Sequence, residues 1–212
     1  MKVYPVNLNL ENKKCFVVGG GKVAARKISG LLDSGAKVEV ISPEVCEEIL
    51  NLATQKKITL IQEKYSAEKI LDGVILIAAT NNLELNKKIL ADGRRKNFLV
   101  NVVEGESDFF VPSKIQRENF LLTISTSGTS PAFSKFVREN LEREFDKNFV
   151  EGLKIISEYR QEVKKILPNH ESRKNFWREV LTPSMWKLLK NGELEKVKEI
   201  LKNAFESCGA EL

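Results

Sequence analysis

Cys15-Phe16-Val17-Val18-Gly19-Gly20-Gly21-Lys22-Val23-Ala24 is the stretch that decides the fold. Its apolar run reads as a buried strand, its glycines as a tight turn, and residues 22 to 34 have the length and apolar spacing of a helix. The result is G-x-G-x-x-A set between strand and helix, the pattern of a dinucleotide-binding turn. Gly19 permits the turn, Gly21 lets a pyrophosphate approach the backbone, and Ala24 lets helix and strand pack closely. The free N–H groups and positive dipole end of the helix then face the phosphates. The competing reading, a tight turn with no ligand, explains the glycines but not their setting.

Outward from this turn the sequence keeps alternating. VEVIS (38 to 42), ITLIQ (58 to 62), VILIAAT (74 to 80) and FLVNVV (98 to 103) read as further buried strands, and 44 to 54 and 83 to 96 as helices, with a short one at 66 to 72. Strand and helix in alternation imply a parallel, Rossmann-like α/β sheet with right-handed crossovers. Near Phe109 the pattern breaks. FFVPSKI, the polar turn QREN and FLLTIST read as an antiparallel hairpin that extends or follows the sheet. From Ser130, a predicted N-cap ahead of Pro131, the text is helical. Phe133, Phe136, Val137, Leu141 and Phe145 recur at spacings of three and four, an amphipathic face that needs a partner. Helices continue to the end, broken at Pro168, Pro183 and Asn191-Gly192, with Phe176, Trp177 and Trp186 as expected core anchors.

Composition sets the limits. A chain of 212 residues, 42% hydrophobic and 30% charged, has the make-up of an ordinary folded protein. It contains no apolar run of about 18 residues, and MKVYPVNLNLENKK turns polar too soon for a secretory signal, so the expectation is a cytoplasmic protein. Cys15, Cys46 and Cys208 are too scattered for a zinc site or a disulfide framework. The net charge of +5 suits a polyanionic ligand; without a basic run interleaved with aromatics, nucleic acid is not expected.

Open α/β sheets bind ligands at the carboxyl ends of their strands. The acidic residue that commonly holds the adenosine ribose is missing at the end of the second strand: Ser42 stands there, and Glu39 lies earlier, inside the strand. No arginine follows Ser42 to receive a 2′-phosphate, which favours NAD over NADP. Thr80 and Asn81, after the fourth strand, fit cofactor contact and helix capping equally. Glu104, after the fifth strand, is placed for proton transfer or is an exposed loop residue. His170 is the sole histidine and one imidazole makes a poor site, so no metal site is expected.

VVGGGKVAARKISGLLDSGAKVEVISPE, LIAATNNLELNKKI, NVVEGESDFFVPSKI and FLLTISTSGTSPAFSKFVRENLE together resemble the precorrin-2 dehydrogenase, or siroheme synthase, family over residues 1 to about 145. RKNFWREVL is similar to the family's C-terminal segment. The resemblance implies an NAD-binding domain over 1–112, a dimerisation region of hairpin and helix over 113–146 and a helical C-terminal domain over 147–212, assembled as a homodimer. It implies NAD-dependent oxidation of precorrin-2 to sirohydrochlorin, with iron insertion by some members, and gives the positive charge a polycarboxylate tetrapyrrole to meet. Cofactor contacts carry over to Gly19, Gly21, Lys22, Val23, Ser42, Pro43 and Glu44. The family's essential aspartate falls on Glu104, one methylene longer, with Asp108 in the same loop as an alternative base. The block Ser125, Thr126, Ser127, Gly128 and Thr129 is expected either to bind substrate carboxylates or to cap the next helix. Thr126 stands where some members carry a phosphorylated serine, so that modification is not expected. The rival from another class is an NAD-sensing regulatory dimer without chemistry.

Overall fold

A computed structural model describes residues 3–208. The chain divides into two compact units, Tyr4–Val111 and a second beginning at Pro112.

The first unit runs β1 (Lys14–Val18), α1 (Lys22–Leu32), β2 (Lys37–Ile41), α2 (Glu47–Thr54), β3 (Ile58–Ile61), a 3₁₀ turn at Ala67–Lys69, β4 (Ile75–Ala78), α3 (Leu83–Arg95) and β5 (Leu99–Val102). All pairings are parallel, in the order β3-β2-β1-β4-β5. Period-two alternation sorts the strand side chains onto two faces. Val17, Val38, Val40, Ile75 and Ile77 pack under α1 and α2, while Phe16, Val18, Ile41, Leu76 and Val100 pack under α3. The strands are mostly apolar because both faces are covered. The order reverses between β1 and β4, which opens a crevice at their carboxyl ends, and the glycine turn sits at that point.

β5 is an edge strand, and the loop after it folds back to cover that edge. The Val100 N–H donates to Asp108 Oδ2 (3.0 Å) and the Val102 N–H to Ser107 Oγ (2.8 Å). Asp108 N–H returns a bond to the Val100 carbonyl at 2.8 Å.

In the second unit β6 (Ser113–Arg117) and β7 (Phe120–Ile124) form their own two-stranded antiparallel sheet, so the hairpin follows the parallel sheet and does not extend it. Helices α4 (Pro131–Leu141), α5 (Lys147–Ile166), α6 (His170–Val180), α7 (Pro183–Asn191) and α8 (Leu194–Ser207) complete it. Ser130 caps α4 through the Phe133 N–H with Pro131 in the first turn, as its sequence predicts. Pro183 opens α7, and Gly192 closes it in the left-handed conformation.

Phe145 departs from the expected helical face. α4 stops at Leu141, a 3₁₀ turn (Glu142–Glu144) intervenes, and Asp146 starts a new helix by capping Phe149 N–H. Phe145 therefore turns inward, with ring centroids 4.8 Å from Phe120 and 5.0 Å from Phe149. Phe133 and Phe136 do share the exposed face of α4, 57% and 59% accessible.

Candidate dinucleotide site

Three strand ends build the crevice. Gly19 leaves β1 with a φ of +127°, and a Cβ there would stand 2.2 Å from the Ala79 carbonyl oxygen of the adjacent strand end. Gly20 is confined more tightly: its Cβ would meet the Glu44 carbonyl oxygen at 1.8 Å. The Cys46 N–H donates to the Gly20 carbonyl at 2.7 Å, tying the two turns together. Gly21, the N-cap of α1, has open space where its Cβ would be. No side chain caps α1 and its first turn holds no acid, so its leading N–H groups and dipole are free to face an anion. Lys22 and Val23 lie exposed in that turn, and Ala24 is fully buried against the sheet.

The resulting cavity, about 690 Å³, is lined by Gly19 to Gly21, by Ser42, Pro43, Glu44 and Cys46 after β2, by Lys64 and Tyr65 after β3, and by Thr80, Asn81 and Leu85 after β4. The residues picked from sequence at three separate strand ends thus converge on one space. Their roles need revision in two places. Ser42 is buried, and its hydroxyl donates to the Glu44 carbonyl at 2.6 Å, so it shapes the turn and has no free proton for a ribose. Glu44, exposed beside it, presents the carboxylate that the strand end lacks. The cap of α3 is Asn82, which accepts from the Leu85 N–H at 3.0 Å, so neither Thr80 nor Asn81 fills that role. Thr80 is held by the buried Asn86: its hydroxyl donates to Asn86 Oδ1 (2.7 Å), and Asn86 Nδ2 donates to the Thr80 carbonyl (3.0 Å). Asn81 stays exposed at the rim.

Glu104 is exposed in the turn after β5 and does not line this cavity. Asp108 is committed elsewhere. Its Oδ1 accepts from Arg94 Nε (2.9 Å) and Nη2 (2.7 Å) while Oδ2 takes the Val100 N–H. A carboxylate with three donors is a fastener of the loop and a poor base.

Residues 125–129 belong to the second unit, between β7 and α4. Thr126 Oγ1 accepts from Ser130 N–H and donates to the Ser130 carbonyl, both at 3.1 Å, and the Ser127 N–H donates to Ser125 Oγ. Ser127 and Gly128 both take positive φ. The block is a closed turn that positions the cap Ser130. No group of His, Cys, Asp and Glu suited to a metal occurs among the described residues, and no described helix is long and apolar enough to cross a membrane.

Lys64, Tyr65, Asn82 and Asn86 escaped the sequence reading. Asn82 had a signal, since Asn just ahead of an apolar-periodic run is a cap residue. Tyr65 had none, because its partner Asp92 lies on another element.

A doubly wound parallel sheet with an open glycine turn at its switch point defines a Rossmann-type dinucleotide-binding protein. A family model described as "Putative NAD(P)-binding" matches residues 6–113, and the chain belongs to this NAD(P)-binding family. A second model, the sirohaem synthase dimerisation region, matches residues 153–205. The chain is 31% identical over 210 residues to a siroheme synthase of Nitrosomonas europaea, covering 98% of this chain and 44% of that protein. With a siroheme synthase of Photorhabdus laumondii subsp. laumondii it shares 32% over 209 residues, 97% of this chain and 44% of that protein. The chain thus spans less than half the length of these curated relatives. The solved structure of SirC, a precorrin-2 dehydrogenase, matches with a TM-score of 0.77 and 26% identity over 96% of this chain and all of that one. The family resemblance drawn from the sequence blocks is borne out.

Proposed function

We propose that this chain is an NAD-dependent dehydrogenase that oxidises precorrin-2 to sirohydrochlorin and works as a homodimer. The observation that carries the reading is the cavity at the glycine turn, whose open Gly21 and uncapped helix end fit a pyrophosphate. The substrate rests on the likeness to SirC over 96% of this chain and all of that one.

The glycine turn and the first turn of α1 would hold a nicotinamide dinucleotide, which would supply the hydride acceptor for this oxidation. The chain's own residues do the rest. The first N–H groups of α1 hold the phosphates, and the Glu44 carboxylate accepts from ribose hydroxyls and disfavours a 2′-phosphate by repulsion. Glu104 takes the proton released from the substrate, being the free carboxylate at the carboxyl edge of β5. Excess positive charge on the chain, +5, draws a polycarboxylate tetrapyrrole. The dimerisation match and the exposed Phe133–Phe136 pair, centroids 6.2 Å apart, support the two-chain state.

The experiment is a single cuvette. Purified protein, precorrin-2 and NAD should give absorbance at 340 nm and a sirohydrochlorin spectrum, and Glu104→Gln should slow both by about 10²-fold or more. Undiminished turnover in that variant removes Glu104 as the base. NAD binding without turnover in the wild type turns the reading toward a sensing module. Fe(II) added at the end, against a no-protein control, reports on iron insertion.

A further inference from the structure

The cavity extends beyond the phosphate position toward the ends of β2 and β3, where Pro43, Glu44, Lys64 and Tyr65 line it, with Leu85 on α3. In a Rossmann domain the phosphates centre on the glycine turn and the adenosine ribose meets the end of the second strand. The purine must therefore lie past Glu44, on this side. Tyr65 is the one aromatic side chain among the described residues lining the cavity.

Its ring is fixed from behind. Tyr65 Oη donates to Asp92 Oδ2 at 3.1 Å, and Asp92 is only 2% exposed and also paired with Arg95. Burial, and then the Asp92 carboxylate, push the phenol well above its ordinary value, so it stays a donor. The segment carrying the ring is fastened on both sides. Lys69 Nζ donates to the Lys64 carbonyl at 2.8 Å, and Lys96 Nζ, just past the end of α3, donates to the Ile70 carbonyl at 2.7 Å. A ring already held in one place loses little freedom when a base stacks on it.

We infer that Tyr65 is the platform on which the purine of the dinucleotide stacks, and that the buried Asp92 holds that platform in register with the glycine turn. The inference rests on the dinucleotide reading above and adds the residue that recognises the base. Stacking on an aromatic face tolerates any purine, so adenosine is selected here by shape and by the ribose carboxylate more than by base hydrogen bonds.

The test uses the full chain and three probes, NADH, AMP and nicotinamide mononucleotide, with AMP and the mononucleotide measured by competition against NADH. Tyr65→Ala and Tyr65→Leu should weaken NADH and AMP by roughly tenfold and leave nicotinamide mononucleotide unchanged. Tyr65→Phe, which keeps the ring and loses the Asp92 tether, should weaken NADH and AMP by about threefold, between wild type and the alanine variant, and binding equal to wild type would remove Asp92 from the positioning role. Tyr65→Leu retains bulk against the core, so it keeps the question open to measurement should the alanine variant fail to fold. A folded leucine variant that binds AMP like wild type overturns the inference, as does an equal loss for AMP and the mononucleotide. Wild-type protein that binds none of the three overturns the dinucleotide reading itself, which is a different result from wild-type binding that survives loss of the ring.

Discussion

Lys27 on α1 donates from Nζ to Asn101 Oδ1 on β5 at 3.0 Å, and the other arm of the same amide donates to the Phe109 carbonyl at 2.9 Å. One buried side chain therefore links the glycine-turn helix to the loop that presents Glu104. Burial, reinforced by the neighbouring Arg26, holds the Lys27 ammonium below its ordinary 10.5. Between that lowered value and 10.5 the unfolded chain keeps a proton that the folded chain has released, so Lys27 makes stability rise with pH across the window. Lys27→Met removes this slope. Urea unfolding of both proteins from pH 7 to pH 10 should show the wild type gaining on the variant as pH climbs; a constant difference would contradict the account.

Two adjacent glycines should fail in opposite ways. Gly20→Ala drives a methyl into the Glu44 carbonyl, so it should lower the melting temperature severely or prevent folding. Gly21→Ala meets nothing in the protein, so the fold should melt as wild type, while NADH affinity falls by about tenfold or more because the methyl occupies the phosphate approach. Thermal melts and NADH titrations on both variants separate packing from binding.

The two carboxylates of the β5 loop should separate likewise. Asp108→Ala leaves the Val100 N–H without its acceptor and Arg94 with Glu106 alone, and should cost about 1–3 kcal/mol of stability. Glu104→Gln should leave the unfolding free energy within about 0.5 kcal/mol of wild type, as befits an exposed loop residue, while slowing turnover by about 10²-fold or more. Equal effects on stability from both changes would merge their roles and count against Glu104 as the reacting group.

Thiol chemistry offers a readout independent of turnover. Cys15 is buried, Cys208 exposed, and Cys46 half-buried on the wall of the cavity. A maleimide should label Cys208 at once, Cys46 more slowly and Cys15 only on unfolding. Saturating NADH should protect Cys46 alone, by about tenfold in rate for 90% occupancy. Mass spectrometry of the labelled peptides checks it, and labelling of Cys46 indifferent to NADH would place the ligand elsewhere.

Much of this was legible in the residues because it is local. Five apolar runs gave five strands, and the Ser130-Pro131 pair gave a helix start, since strand period and cap chemistry act within a few residues. What stayed hidden depends on distance in the chain. Ser42 looks like a ribose donor until its hydroxyl is seen turned to Glu44, and Asp108 looks like a base until Arg94, fourteen residues earlier, is seen to claim it. Phe145 keeps helical spacing with Phe133, yet spacing says nothing of the turn that ends α4 early.

The loop after β5, which carries the proposed base Glu104, also bears on solubility. With the Val100 and Val102 N–H groups already taken by Asp108 and Ser107, a foreign strand arriving at this side of the sheet finds its donors spent. Lengthening or loosening the loop to reposition Glu104 would therefore uncover a sticky margin at the same time. Variants that alter this loop around Glu104 should be screened first for clumping at high protein concentration, because the segment that presents this carboxylate is also the selvedge that keeps the sheet from unravelling into its neighbours.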